Sequence, residues 1–297
     1  MNTHSFIRPM GWALAALLVV PCSPVFAEDI DSTHEVPADA LVQVANLAGS
    51  VEFTTWERNE VRVTGRVADD VEEVEIETTS TGLRVEVRNK RNQRQVDPTH
   101  LELTIPVAAS IEAEGVSSDL TVEGSRGETI MLSSVSGDLE VEATTRRADL
   151  SSVSGDIDFK GSAERVEIET VSGDMSLEGV EGEIEASTVS GDMSVRAGNM
   201  ERARFESVSG DIMVALALAD GGRLAGDSMS GDFRLRLPAD QQASFTAQSY
   251  SGNIQSDFGD VENVSKGPGS TLKAQLGDNG ARIRLETFSG DITIRRD

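Results

Sequence analysis

The sequence predicts an all-β protein, a β-solenoid (β-helix-like) of about 18–21-residue rungs with a strand-rich N-terminal cap. Three observations carry this. A five-residue phrase recurs eight times: a hydroxyl residue, an apolar residue, Ser, Gly, then Asp or Asn. Its glycines are Gly137, Gly155, Gly173, Gly191, Gly210, Gly231, Gly252 and Gly290, at steps of 18, 18, 18, 19, 21, 21 and 38 residues, the last equal to two periods of 19. After each glycine, apolar residues alternate, as in Leu139 and Val141, Ile157 and Phe159, and Met175 and Leu177. Before it they alternate on the opposite parity, as in Ile130 and Leu132, Val166 and Ile168, and Ile283 and Leu285. Each repeat is therefore two strands, each with one buried face, joined at a corner.

The corner falls between the hydroxyl residue and the apolar residue of the phrase. Both side chains are expected to face the core, with the glycine supplying backbone freedom for the bend. Stacking rungs about 4.8 Å apart aligns each position into a column. One column is all hydroxyl: Ser134, Ser152, Thr170, Thr188, Ser207, Ser228, Ser249 and Thr287. Buried hydroxyls need partners, which a corner amide or the next hydroxyl can provide, so this column reads as structural.

In chain order, residues 1–27 read as a signal peptide, with Arg8, an apolar run from Trp12 to Val20, and Val25-Phe26-Ala27 before an acidic start. The run is too short for a permanent span, and no second long apolar segment follows. Pro21 before Cys22 departs from a lipidation site, so cleavage after Ala27 is expected. The product then contains no cysteine, hence neither disulfide nor thiol nucleophile.

Residues 28–39 read as a mobile lead-in, and 40–110 as an N-terminal β cap or irregular rungs that cover the open end of the stack. Trp56 is expected in the core of that cap, and the basic cluster at 89–95 in a solvated loop. Residues 111–256 are the regular solenoid. It opens on a ninth copy, Val116-Ser117-Ser118-Asp119, in which Ser118 replaces the glycine. Residues 257–297 read as a loop, a strand pair around Gly277–Gly280, and a C-terminal rung whose Arg295 and Arg296 protect the last edge.

The repeated VSGD followed by alternating apolar residues lies behind a signal peptide and a strand that ends in proline, Leu103-Thr104-Ile105-Pro106. Over residues 40–295 this resembles a bacterial β-strand-repeat family of unknown function whose members are often labelled "putative adhesin". The resemblance implies a β-helix-like solenoid and brings no catalytic residues with it.

The residues after the glycines stack as well: Asp138, Asp156, Asp174, Asp192, Asp211 and Asp232, then Asn253 and Asp291. Neighbouring carboxylates repel by roughly 1 kcal/mol per pair in water. Two arrangements offset this. Each Asp accepts amides of its own turn and points into solvent, or oxygen-loving cations such as Ca²⁺ lie between rungs, which makes Asp138 to Asp232 candidate metal ligands.

Composition narrows the function. With 26 basic against 51 acidic side chains and a net charge of −25, nucleic acid and anionic lipid are disfavoured partners. After the signal the only histidines are His34 and His100, both outside the regular rungs, so no Ser-His-Asp or His-rich metal constellation is visible. Aromatic content of 4% denies the stacking platforms of a sugar-active groove. The leading expectation is an exported, non-catalytic, adhesin-like binding module whose partner is an envelope polymer or protein, in the periplasm, on the surface or secreted. A self-assembling envelope scaffold and a calcium-dependent surface module are alternatives, and a polysaccharide-active enzyme ranks last.

Overall fold

Strand Ile157–Ser172 has parallel neighbours on both sides, each displaced by one repeat. Phe159 stands opposite Val141 on one side and Leu177 on the other, and Val166 opposite Ala148 and Ile184. The offset of one copy of the phrase is thus the offset of one neighbouring strand. The computed structural model describes residues 29–90, 96–263, 269–277 and 280–297. Residues 1–27, expected as a signal peptide and containing Cys22, and most of the basic cluster at 89–95 lie outside the described residues. Within them the chain is all β, solenoid-like and without a helix.

Burial follows the two parities. Leu139, Val141, Ile157, Phe159, Met175 and Leu177 are buried after the glycines, and Ile130, Leu132, Val166 and Ile168 before them. The two strands of one rung fill the core by complementary size: the ring of Phe233 occupies the space a Cβ on Gly226 would need.

The corner differs from expectation in its direction. The hydroxyl residue does face the core, but the apolar residue after it does not: Val135, Val153, Val171, Val189 and Val208 are all exposed. At a convex corner, two consecutive side chains, the apolar residue and the following Ser, both point outward, and this shifts the parity. The glycine supplies a positive φ at Gly191, Gly210 and Gly231, and close approach to the neighbouring backbone requires it in every copy of the phrase. Neither Gly155 nor Gly173 lies in the left-handed region. Yet a Cβ on Gly155 would land on the carbonyl oxygen of Gly137, and one on Gly173 on that of Gly155.

Two corner conformations occur along the stack. At Ser134 and Ser152 the strand ends on the hydroxyl residue, and Oγ accepts the amide of Gly137 or Gly155 at 2.9 Å. Ala243–Ser249 again ends on the hydroxyl residue, whereas in Ile157–Ser172, Gly182–Ser190, Met193–Ser209, Ile212–Ser230 and Ala281–Ser289 the strands run two residues further. The amides of Gly173, Gly191 and Gly210 now donate along the stack, to the carbonyls of Ser190, Ser209 and Ser230. The side chains of Thr170, Thr188, Ser207, Ser228 and Thr287 stay buried and have no hydrogen-bond partner among the described residues.

The last copies are not stacked in sequence order. Strand Ala281–Ser289 lies between Ile212–Ser230 and Ala243–Ser249, parallel to both. Ile292–Arg296 likewise lies between Phe233–Leu237 and Ile254–Ser256. Ser270–Leu276 runs antiparallel on the other side of Ala243–Ser249, so the expected strand pair around Gly277–Gly280 does not pair with itself. The chain leaves one rung open, lays down the next, caps it with an antiparallel strand and returns to fill the opening. Arg295 and Arg296 therefore do not guard an edge. Arg295 pairs with Asp257 at 2.9 Å, and Arg296 stacks over Phe258.

The other end is also built out of order. Leu41–Trp56 pairs in parallel with Ser110–Ser125 on one side, and with Gly82–Asn89 and Thr99–Pro106 on the other. Antiparallel strands Val71–Thr78 and Glu60–Arg66 follow. Ile30–Glu35, expected as lead-in, is a strand on Glu60–Arg66, held by the two-point contact of Arg62 with Asp31. Trp56 is half-buried rather than core, donating Nε1 to the Glu60 carbonyl with Arg58 over its ring.

Candidate functional site

The exposed residue of each corner forms one column. In spatial order it reads Val116, Val135, Val153, Val171, Val189, Val208, Met229, Phe288 and Tyr250, because the C-terminal copy is inserted before the seventh. Nine rungs at about 4.8 Å make a stripe of roughly 40 Å. Val171 is 47% exposed, Met229 60%, Phe288 63% and Tyr250 49%. Side-chain size rises toward one end, where the Tyr250 and Phe288 rings meet at 6.0 Å. Monomeric proteins rarely leave so long a contiguous apolar feature in water without using it.

Beside the stripe, above the buried hydroxyls, runs a trough of about 500 Å³ bordered by Val189, Val208, Met229, Tyr250 and Phe288 on one side and by Glu206, Asp227 and Glu286 on the other. These three carboxylates occupy successive rungs. Arg204 pairs with Glu206 and Arg284 with Glu286, but the equivalent position in the rung of Asp227 is Ala225. Burial first, and then the Glu286 charge, push the Asp227 carboxyl above its ordinary range, despite Arg204 and Arg284 nearby. Elsewhere on this face several acids are matched, as where Arg147 bridges Asp149 and Glu167 and Arg165 bridges Glu167 and Glu183, while Glu169, two rungs before Glu206 in the same column, forms no ion pair with a described residue.

The candidate metal ligands fall in a second column, and one oxygen of each carboxylate accepts a backbone amide. The amide of Asp156 donates to Oδ1 of Asp138 at 2.9 Å, Asp174 to Asp156 at 2.8 Å, and Asp192 to Asp174 at 2.8 Å. Asp211 donates to Asp192 and Asp232 to Asp211 in the same way. Asp119 begins this ladder, Asp291 continues it from Asp232, and Asn253 ends it. The acceptor thus belongs to the previous rung, not to the residue's own turn as expected. Asn253 stands where no following rung needs an acceptor. Arg234 spans Asp211 and Asp232 at 2.6 and 2.7 Å. Burial raises the Asp211 carboxyl, but the Arg234 hydrogen bond and the Asp232 amide together hold it below the ordinary range. Among the described residues, no three His, Cys, Asp or Glu side chains converge as a metal-holding group.

Sequence reasoning singled out the aspartate column and missed the acidic rank of Glu206, Asp227 and Glu286. The apolar column was visible, but was assigned to the core. The one available signal was its change from valine to Met229, Tyr250 and Phe288, which a close-packed interior column would not tolerate without compensation.

An all-β chain of parallel stacked repeats, closed at both ends by antiparallel strands and bearing a corner stripe, defines a solenoid-like repeat protein. The chain belongs to the Toastrack DUF4097 family, whose model matches residues 42–295. Among solved structures, it is similar to a "putative adhesin" from Parabacteroides distasonis, with 12% identity, a TM-score of 0.54, and coverage of 90% of this chain and 97% of that one. Another "putative adhesin", from Parabacteroides merdae, matches at 9% identity and a TM-score of 0.54, over 90% of this chain and 96% of that one. At these identities the likeness concerns the fold alone. Comparison with curated proteins found no match.

Proposed function

We propose that the protein is an exported, non-catalytic, adhesin-like binding module of the cell envelope, built on a solenoid of 18–21-residue rungs. The observation that carries this reading is the exposed apolar column from Val116 to Tyr250. It is made of side chains that contribute contact area and no chemistry, presented at constant spacing on a rigid stack. The two structural neighbours, each described as a "putative adhesin", are consistent with a role in adhesion. The partner is an envelope polymer or protein that lies along the stripe.

The test is retention of envelope material, separated into polymer and protein fractions, on the immobilised protein and on a Val171→Ser, Val189→Ser, Val208→Ser variant. One fraction is expected to be retained by the wild type and lost by the variant, with unchanged circular dichroism. Equal retention by both proteins, or by neither, overturns the reading. The aspartate ladder has a structural role in this proposal, and a calcium-dependent module is not needed to explain it.

A further inference from the structure

The stripe is not chemically uniform, and its two ends offer different surfaces. Toward Val116 it is a bare valine column. Toward Tyr250 it becomes one wall of the trough, whose opposite wall is the rank Glu206, Asp227 and Glu286. An occupant of that end meets broad apolar side chains on one side and carboxylates one rung apart on the other.

We propose that this end of the trough binds a basic amphipathic helix of a partner protein, its apolar side chains on Met229, Phe288 and Tyr250 and a lysine or arginine on Asp227. The proposal rests on the binding-module reading and specifies the partner's chemistry. Three features select the occupant. Asp227 forms no ion pair with any described residue, whereas the carboxylates on either side each have an arginine in their own rung. A cation from outside completes the pattern that Arg204 and Arg284 begin. The net charge of −25 draws basic partners from a distance and opposes both a second copy of this chain and an anionic surface. Successive turns of a helix are about 5.4 Å apart, close to the rung spacing of about 4.8 Å, so a helix lying along the stack sets one turn against each of the three acidic rungs. A neutral acyl chain would use the apolar wall and leave the carboxylates without purpose.

Calorimetric titration with two synthetic probes tests this: a leucine–lysine amphipathic peptide of about 18 residues, long enough to form helix, and a leucine–glutamate peptide of the same pattern. The lysine peptide is expected to bind and the glutamate peptide not to. Asp227→Asn should weaken binding about tenfold, equivalent to about 1.4 kcal/mol. Phe288→Ser with Tyr250→Ser should abolish it, while Glu140→Gln with Glu142→Gln, exposed acids of another face, should leave it unchanged. All variants replace exposed or half-exposed groups, and their melting curves verify folding. Equal binding of both peptides would overturn the cationic partner and leave the stripe reading standing. Binding weakened as much by the Glu140 and Glu142 changes as by Asp227→Asn would mean diffuse attraction to an acidic protein, and would overturn the site. No binding of either peptide, with envelope retention still lost in the valine variant, would overturn this proposal alone. Sedimentation revealing a dimer that Phe288→Ser dissociates would make the occupant a second copy and overturn it.

Discussion

The amide of Asp291 donates to Oδ1 of Asp232 at 2.9 Å across 59 residues of chain. The amide of Asn253, 38 residues earlier than Asp291, donates in turn to Asp291 at 2.8 Å. The end of the chain is thus an interior rung, and the aspartate ladder passes through it without interruption. Phe288 reaches the side of Tyr250 for the same reason.

Removing residues 281–297 should therefore open a gap inside the stack rather than shorten a tail. Ala243–Ser249 loses its parallel neighbour, and Ser270–Leu276 then caps nothing. Hydrogen exchange of the truncated protein should reveal loss of protection in Ala243–Ser249 and Ser270–Leu276 with protection retained around Ile157 and Val166. Retained protection at Phe245 would mean that the two flanking rungs close on each other.

Gly173→Ala should destabilise by about 1–3 kcal/mol or more, because the added methyl must displace the backbone of the preceding rung, at Gly155, and not a side chain. Gly198→Ala is the control. Its Cβ would meet only the Glu181 side chain, at 3.1 Å, which can swing away. Denaturant unfolding of both variants checks the contrast, and equal effects would refute the close-approach explanation.

Asp174→Asn keeps an oxygen for the Asp192 amide, and Asp174→Ala removes it. The alanine variant should lose about 1 kcal/mol and the asparagine variant less than half of that. With the ladder oxygens engaged by amides, the unfolding midpoint of the wild type should be the same in chelator and in Ca²⁺ or Mg²⁺ at constant ionic strength. A rise specific to Ca²⁺ would make the ladder a metal site.

Asp227 gives a pH dependence of definite sign. Its carboxyl is raised by burial and by Glu286 and Glu206, against Arg204 and Arg284. A carboxyl raised in the folded state opposes folding while ionised. That penalty is complete above the folded value and fades as pH falls through it toward the ordinary value. Asp227→Asn should accordingly stabilise the protein at neutral pH, and the gain over wild type should shrink on acidification. Thermal unfolding between neutral and acidic pH measures it, and a gain that grows on acidification would contradict the assignment.

Much of the architecture was legible in the sequence because a buried column must be apolar in every rung. Ile157, Met175 and Met193 could not stand two residues after successive glycines by accident of composition. The direction of the corner was not legible. Val171 is equally consistent with an inward or an outward position, since apolar character alone does not distinguish a core from a binding surface. Nor was the ladder's acceptor legible, because an Asp beside a Gly suggests an amide of its own turn as readily as one in the next rung.

The sequence by itself determined the all-β class, the repeat, its parity and the identity of the columns, all of which are periodic properties written locally in each copy. Only the tertiary structure decided the order of the rungs, because strand pairing is set by backbone hydrogen bonds and shared core volume, not by position along the chain. That order places Phe288 before Tyr250 and Glu286 beside Asp227. The trough's aromatic wall and its acidic rank exist only after the last strand has entered the stack.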